Sequence, residues 1–332
     1  MKKAQEQNHN MKRQRSAGIQ AALASALFLG LTPIFGKQAI LYGLPPMAVV
    51  AGRTALAAGL FLAVVLAFRP KFLYIYPAGL LGCFLAGAIN GVGSLFYYAA
   101  LGRIDAGLGQ LLYAFYPLFV FLWMRLDRQP FNRLTLVRLI LSVPALYLLT
   151  QSDNHQIDLL GMGMMLAASA LYALHLPINQ RVLYDMPAPT VTMYTLISMS
   201  VIVVPAFLLS TPLASLKNIF LVTPEKAWMA VLALTLVTFF SRITLFLGVK
   251  HLGGMQTSLL GLSELLVTIT FAHLLLEESF SSSQWAGMAL LVLSLLLVGL
   301  EKPNLTENQG GGWLRWLKPS GLPSKIPWQS HD

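Results

Sequence analysis

The sequence predicts an all-α integral membrane protein: ten transmembrane helices arranged as two inverted five-helix repeats. Three observations carry that prediction. Hydrophobic residues fill 56% of the 332 positions and charged residues only 11%, against about 25% charged in ordinary soluble domains. Ten apolar runs follow one another with short polar joints between them. The first half also recurs in the second. LASALFLGLTPI (Leu23 to Ile34) returns as AASALYALHLPI (Ala167 to Ile178), with Ala24, Ser25, Ala26, Leu27, Pro33 and Ile34 identical at an offset of 144.

In chain order, residues 1–15 form a basic tail and 16–150 the first repeat. The apolar run from Ile19 to Leu41 has the outline of a signal peptide. A removable signal would not be copied in mid-chain, so this run is the first span. Pro45 to Phe68, Phe72 to Leu101, Ala106 to Met124 and Leu134 to Thr150 supply four more. The second repeat, 151–300, holds Leu159 to Gln180, Ala188 to Ser210, Ala227 to Val249, Gly254 to Leu276 and Trp285 to Leu300. The tail 301–332 mixes Trp with Lys and Arg, a composition suited to the inner interface.

Basic residues orient the chain. With both tails inside, 17 of the 23 Lys and Arg fall on the cytoplasmic side and only Arg103, Lys217 and Lys226 outside. The positive-inside rule therefore puts both termini in the cytoplasm and the protein in the cell membrane. Five spans is an odd number, so the second repeat enters from the opposite side. Inverted repeats of this kind mark secondary transporters, with the site near the midplane where the halves meet. A second match agrees: QLLYAFYPL (Gln110 to Leu118) aligns with SLLGLSELL (Ser258 to Leu266) at an offset of 148, pairing Tyr116 with Glu264.

Glu264 is the leading site residue, because a carboxylate in mid-span is costly and marks a substrate or ion pathway. Its candidate partner is Arg242. Counted from the inner ends of their spans at 1.5 Å per residue, the two lie about 12 and 15 Å deep, on adjacent antiparallel helices. Two roles stay open: a closed ion pair that neutralises Glu264, or a separated pair that holds the carboxylate and ammonium of an amino acid. Arg53 lies about 12 Å from the outer end of its span, within reach of the surface for a snorkelling side chain or of an outward vestibule. Asn90 and Ser94 in the third span, with Gly91, Gly93, Gly107 and Gly109, suit close helix approach or a hinge. Tyr97, Tyr98, Tyr113 and Tyr116 are candidate cavity aromatics, and Pro33, Pro117 and Pro177 candidate kinks. Lys37 reads as a snorkelling cation. His175 and His273 are lone histidines without a second ligand at metal spacing, so hydrogen bonding between helices is expected of them.

Tyr97 to Trp123, YYAALGRIDAGLGQLLYAFYPLFVFLW, resembles the third-to-fourth helix signature of the EamA-type family in the drug/metabolite transporter superfamily. GVKHLGGMQTSLLGLSELLVTITFAHLLLEE resembles that family's eighth-to-ninth helix signature, and AGRTALA around Arg53 is similar to its second-helix arginine motif. The family usually has a proline after the ninth-helix acid. Here Leu265 follows Glu264, whereas Pro117 keeps its place in the first half. The resemblance implies a bundle in which helices one to four and six to nine enclose a cavity, with five and ten peripheral. It also implies export of amino acids or related metabolites.

Other classes lack their signatures. No GxxxxGK[ST] loop and no HExxH helix occurs. An integral membrane enzyme would need paired acids, and the nearest approach is Glu277 with Glu278, which point about 100° apart if helical. That enzyme, acting on a lipid-soluble substrate, and a passive channel are the alternatives to a transporter. The expected partners are a small-molecule substrate, membrane lipid and a proton as the candidate coupling ion. No cofactor and no nucleic acid is expected, since the net charge of +10 is spread between spans. The single cysteine, Cys83, permits no internal disulfide.

Overall fold

The computed structural model describes residues 2–128, 133–150, 158–183, 185–212, 219, 223–276 and 281–297. Glu277, Glu278, Asp153, Lys217 and the tail 301–332 lie outside the described residues. Everything regular within them is helical. The helices are α1 (Lys2–Leu41), α2 (Pro46–Phe68), α3 (Pro77–Leu101), α4 (Ala106–Tyr113), α5 (Tyr116–Leu126) and α6 (Arg133–Thr150), followed by α7 (Leu159–Leu183), α8 (Ala188–Ser210), α9 (Glu225–Leu252), α10 (Gly254–Gly261), α11 (Glu264–Leu276) and α12 (Ser282–Leu296). Eight stretches are long and apolar enough to cross a membrane, with α4 and α5 together making one and α10 and α11 another.

Several expected boundaries move for local reasons. The basic tail is not separate from the first span: α1 runs unbroken from Lys2, because its first sixteen residues contain no Pro or Gly and are rich in helix formers. The third helix starts at Pro77 instead of Phe72. A short 3₁₀ turn over Pro70–Leu73 precedes it, and the Thr190 and Tyr194 hydroxyls donate to the Phe72 and Leu73 carbonyls. Prolines open α2, α3 and α8 within their first turn, where the missing N–H has no helical partner to lose. At the start of α7, Asp158 accepts from the Gly161 N–H at 2.9 Å and pairs with Arg103 at 2.8 Å. The Gly161 N–H, then Arg103, hold its carboxyl below the usual range.

The main helix pairings recur when the halves are exchanged. α1 lies along α9, as α3 lies along α7; α1 meets α11, as α7 meets α5; α2 packs on α8, and α6 on α12. The outer surface is apolar as well as the core. Phe68, Leu126, Leu159, Leu209 and Met229 all project outward, as lipid contact requires.

The fourth and ninth spans are each broken in the middle. In the fourth, Ala114 and Phe115 interrupt the helix and Pro117 restarts it, since proline cannot donate to the previous turn. The ninth breaks at Leu262 and Ser263 without any proline. There Ser263 gives both its N–H and its hydroxyl to the Leu260 carbonyl, at 3.0 and 2.8 Å, a tightened turn that ends α10. The two breaks fall 148 residues apart, the offset of the sequence match. α9 and α10 join through Gly253, whose φ of +83° is the left-handed conformation that a side chain would strain.

Candidate functional site

Arg53, Arg242 and Glu264 are 5%, 5% and 1% exposed, yet each lines the same internal cavity. As the centre of a water molecule sees it, the cavity measures about 40 Å³, room for about three waters. Besides Tyr172 of α7, its walls come from seven more residues on three helices. These are Leu29 and Thr32 of α1, Gly93, Ser94 and Tyr97 of α3, and Gln110 and Tyr113 of α4. α8 contributes nothing to that wall, although the resemblance put the seventh span around the cavity.

Two polar rungs cross from α3 to α9. In the first, Arg53 reaches in from α2 and donates to Ser94 Oγ at 3.3 Å and Thr238 Oγ1 at 3.1 Å. Thr238 gives its own proton to the Leu234 carbonyl, which leaves its lone pairs for Arg53. One helical turn deeper, with the Asn90 amide oxygen turned toward it, Arg242 donates both terminal nitrogens to Asn90 at 3.1 and 3.3 Å. Each guanidinium also stands near a ring, Arg53 4.8 Å from the centre of Tyr98 and Arg242 5.8 Å from that of Tyr172. Asn90 and Thr238 are 148 residues apart, and so are Ser94 and Arg242. Exchange of the halves therefore turns one rung into the other.

The broken helices cross-link in the same manner. The Tyr116 hydroxyl, at the restart of the fourth span, donates to the Ser258 carbonyl in the ninth at 3.0 Å. Glu264, at the restart of the ninth, takes the side-chain amide of Gln110 in the fourth. These two contacts are also exchanged by the offset of 148. Glu264 and Arg242 do not close on each other: Glu264 Oε1 has no hydrogen-bond donor, and the terminal nitrogens of Arg242 go to Asn90. The carboxylate and the guanidinium are a separated pair across a shared space.

Of the residues singled out by sequence, Glu264, Arg242, Ser94, Tyr113 and Arg53 face the cavity. Tyr116 and Asn90 stand behind it. Tyr116 packs edge-on against Tyr172 at 5.1 Å, and Asn90 orients Arg242. Arg53 does not snorkel outward; its hydroxyl partners lie on α3 and α9, so it points into the bundle. Gln110, Tyr172 and Thr238 were missed by sequence reading. Each had a signal in the repeat: Gln110 is opposite Ser258 and Thr238 opposite Asn90 at 148, while Tyr172 opposes Phe28 at 144.

Other expectations resolve into structural roles. Lys37 does not snorkel free, since its ammonium donates to the Leu101 and Ile104 carbonyls at 3.0 and 2.9 Å and caps the end of α3. At the repeat-related position, 144 residues on, Arg181 forms a buried ion pair with Asp127 at 2.7 Å. His175 Nδ1 bonds within its own helix to the Tyr172 carbonyl, where a bond between helices was expected. Among the described residues no group of three His, Cys, Asp or Glu could hold a metal.

Comparisons with known proteins follow the same division into halves. No curated protein matches the sequence. A solved structure described as the crystal structure of a protein superposes with a TM-score of 0.68 over 86% of this chain and 97% of its own, at 15% identity. At that identity it shares the fold. The model of the EamA-like transporter family matches twice, over residues 16–151 and 159–300. The chain is a multi-pass membrane protein that belongs to the EamA-like transporter family.

Proposed function

We propose that this protein is a secondary active transporter that exports amino acids or related small metabolites across the cell membrane by alternating access. Ten helices in two inverted repeats form it, with both termini cytoplasmic. The observation that carries the reading is the separated pair: Arg242 and Glu264 face one buried cavity, each bonded to a neutral amide and neither to the other. A guanidinium for a carboxylate and a carboxylate for an ammonium, a short distance apart, is the donor set that an α-amino acid needs. An enzyme reading finds no such support, as the cavity offers one carboxyl and no nucleophile-base pair.

The mechanism follows from where mobility is available. Both cavity-lining broken spans restart beside the cavity, and a half-helix can tilt there without losing a full ladder of hydrogen bonds. Polar closures sit at the two ends of the bundle, with Lys37 on the α3 terminus at one and Arg181 with Asp127 at the other. These are repeat-related, so opening one end while the other stays shut is the exchange expected of inverted repeats. A cavity with room for about three waters is smaller than any amino acid, so it must widen to admit one. Glu264 would carry the coupling proton, alternating between proton and substrate. Reconstituted vesicles loaded with amino acid test the reading: efflux that responds to a pH gradient is expected, and its absence for every amino acid tried would reject it.

A further inference from the structure

The cavity carries two buried cations and one acid. Arg53 has only hydroxyl acceptors, Ser94 and Thr238, and its Nε has no partner; Arg242 has the Asn90 amide. Neither closes an ion pair with Glu264, so the wall bears a net charge of about +1 with Glu264 ionised. Burying an uncompensated charge costs several kcal/mol, and among the described residues no carboxylate pairs with either arginine. A zwitterionic amino acid has no net charge and would leave that excess in place. A ligand with net charge −1 would remove it.

The two cations are also spaced for two acid groups. Arg53 is anchored on Thr238 and Arg242 stands four residues further along α9, about 6 Å of rise. They approach the cavity as consecutive rungs, and Glu264 Oε1 is open to a donor. From this arrangement we infer that the ligand of the cavity is an acidic amino acid. Its α-carboxylate lies on Arg242, its side-chain carboxylate on Arg53, and its ammonium on Glu264 against the tyrosine faces. The narrow cavity favours a short member of that class, with aspartate as the natural probe. This deepens the transporter reading by naming the substrate class of the same site.

The test compares L-aspartate with L-asparagine, which differ by one charge and almost no volume. Full-length protein in lipid nanodiscs is titrated with each, with tryptophan fluorescence and thermal shift as readouts. Aspartate is expected to bind at least about 10-fold more tightly, a difference of about 1.4 kcal/mol. Arg53→Gln should collapse the preference and Arg53→Lys should keep most of it. If Arg53→Gln does not fold, the wild-type comparison still decides. Equal affinity for the two, tighter binding of asparagine, or binding of neither overturns the inference. Vesicle counterflow separates this from the broader reading. Movement of asparagine or leucine with no aspartate preference sinks the charge inference and leaves a transporter; aspartate binding without movement of any solute supports the inference and sinks the transporter.

Discussion

Arg242 occupies the repeat position that the first half fills with Ser94, so a cation has been added to one side of an otherwise balanced pair of rungs. Its removal separates two roles. Glu264→Gln alone should lose several kcal/mol, read as a lower melting temperature, because it leaves Arg53 and Arg242 buried with no acid beside them in the cavity. The double substitution should recover folding and still bind no substrate; recovery of transport as well would make the pair purely structural. Gly261 offers a second residue-scale test, because a Cβ there would overlap the Tyr116 hydroxyl that bonds Ser258. Gly261→Ala should destabilise by roughly 1–3 kcal/mol as overpacking does. Adding Tyr116→Phe removes the clashing oxygen and should restore part of that loss. Failure of the double variant to improve on Gly261→Ala would place the clash elsewhere.

At the scale of elements, the two mid-span breaks and the two end closures matter most. Sequence made the first break legible through Pro117 and hid the second, which Ser263 produces by folding its hydroxyl and N–H onto one carbonyl. Serine does this only where the surroundings favour it, so no local pattern announces it. Arg53 stayed between two readings for a related reason: depth counted along one helix says how far a side chain is from the surface but not which way it faces. Its direction is set by Ser94 and Thr238, distant in sequence. The Asp127–Arg181 pair was likewise invisible, as both residues look like ordinary inner-loop charges. Asp127→Asn should cost about 3–5 kcal/mol by stranding Arg181 in a buried site. Replacing both with apolar residues of similar volume should regain most of that stability. If the pair acts as a gate, the same replacement will raise leak in vesicles; an unchanged leak assigns it to folding alone.

For the whole molecule, the repeat was the most legible feature, since offsets of 144 and 148 could be read directly and the packing respects them. What the offsets could not supply was the content of the cavity, which comes from seven helices and depends on orientation. Orientation in the membrane is testable with the single native cysteine removed as Cys83→Ala and new cysteines placed at Arg69, Arg103, Arg125 and Lys226. Impermeant maleimide added to intact cells should label positions 103 and 226 and spare 69 and 125. The reverse pattern would invert the topology.

The central claim is that Glu264 couples a proton to solute movement through the cavity it shares with Arg242, Arg53, Gln110 and the tyrosines at 97, 113 and 172. The most direct measurement is pH-dependent efflux of a labelled amino acid from vesicles containing either wild-type protein or Glu264→Gln. Wild-type efflux should change with the imposed proton gradient, and Glu264→Gln, folded as judged by its melting profile, should lose that dependence. Efflux by Glu264→Gln with unchanged pH dependence would contradict the account.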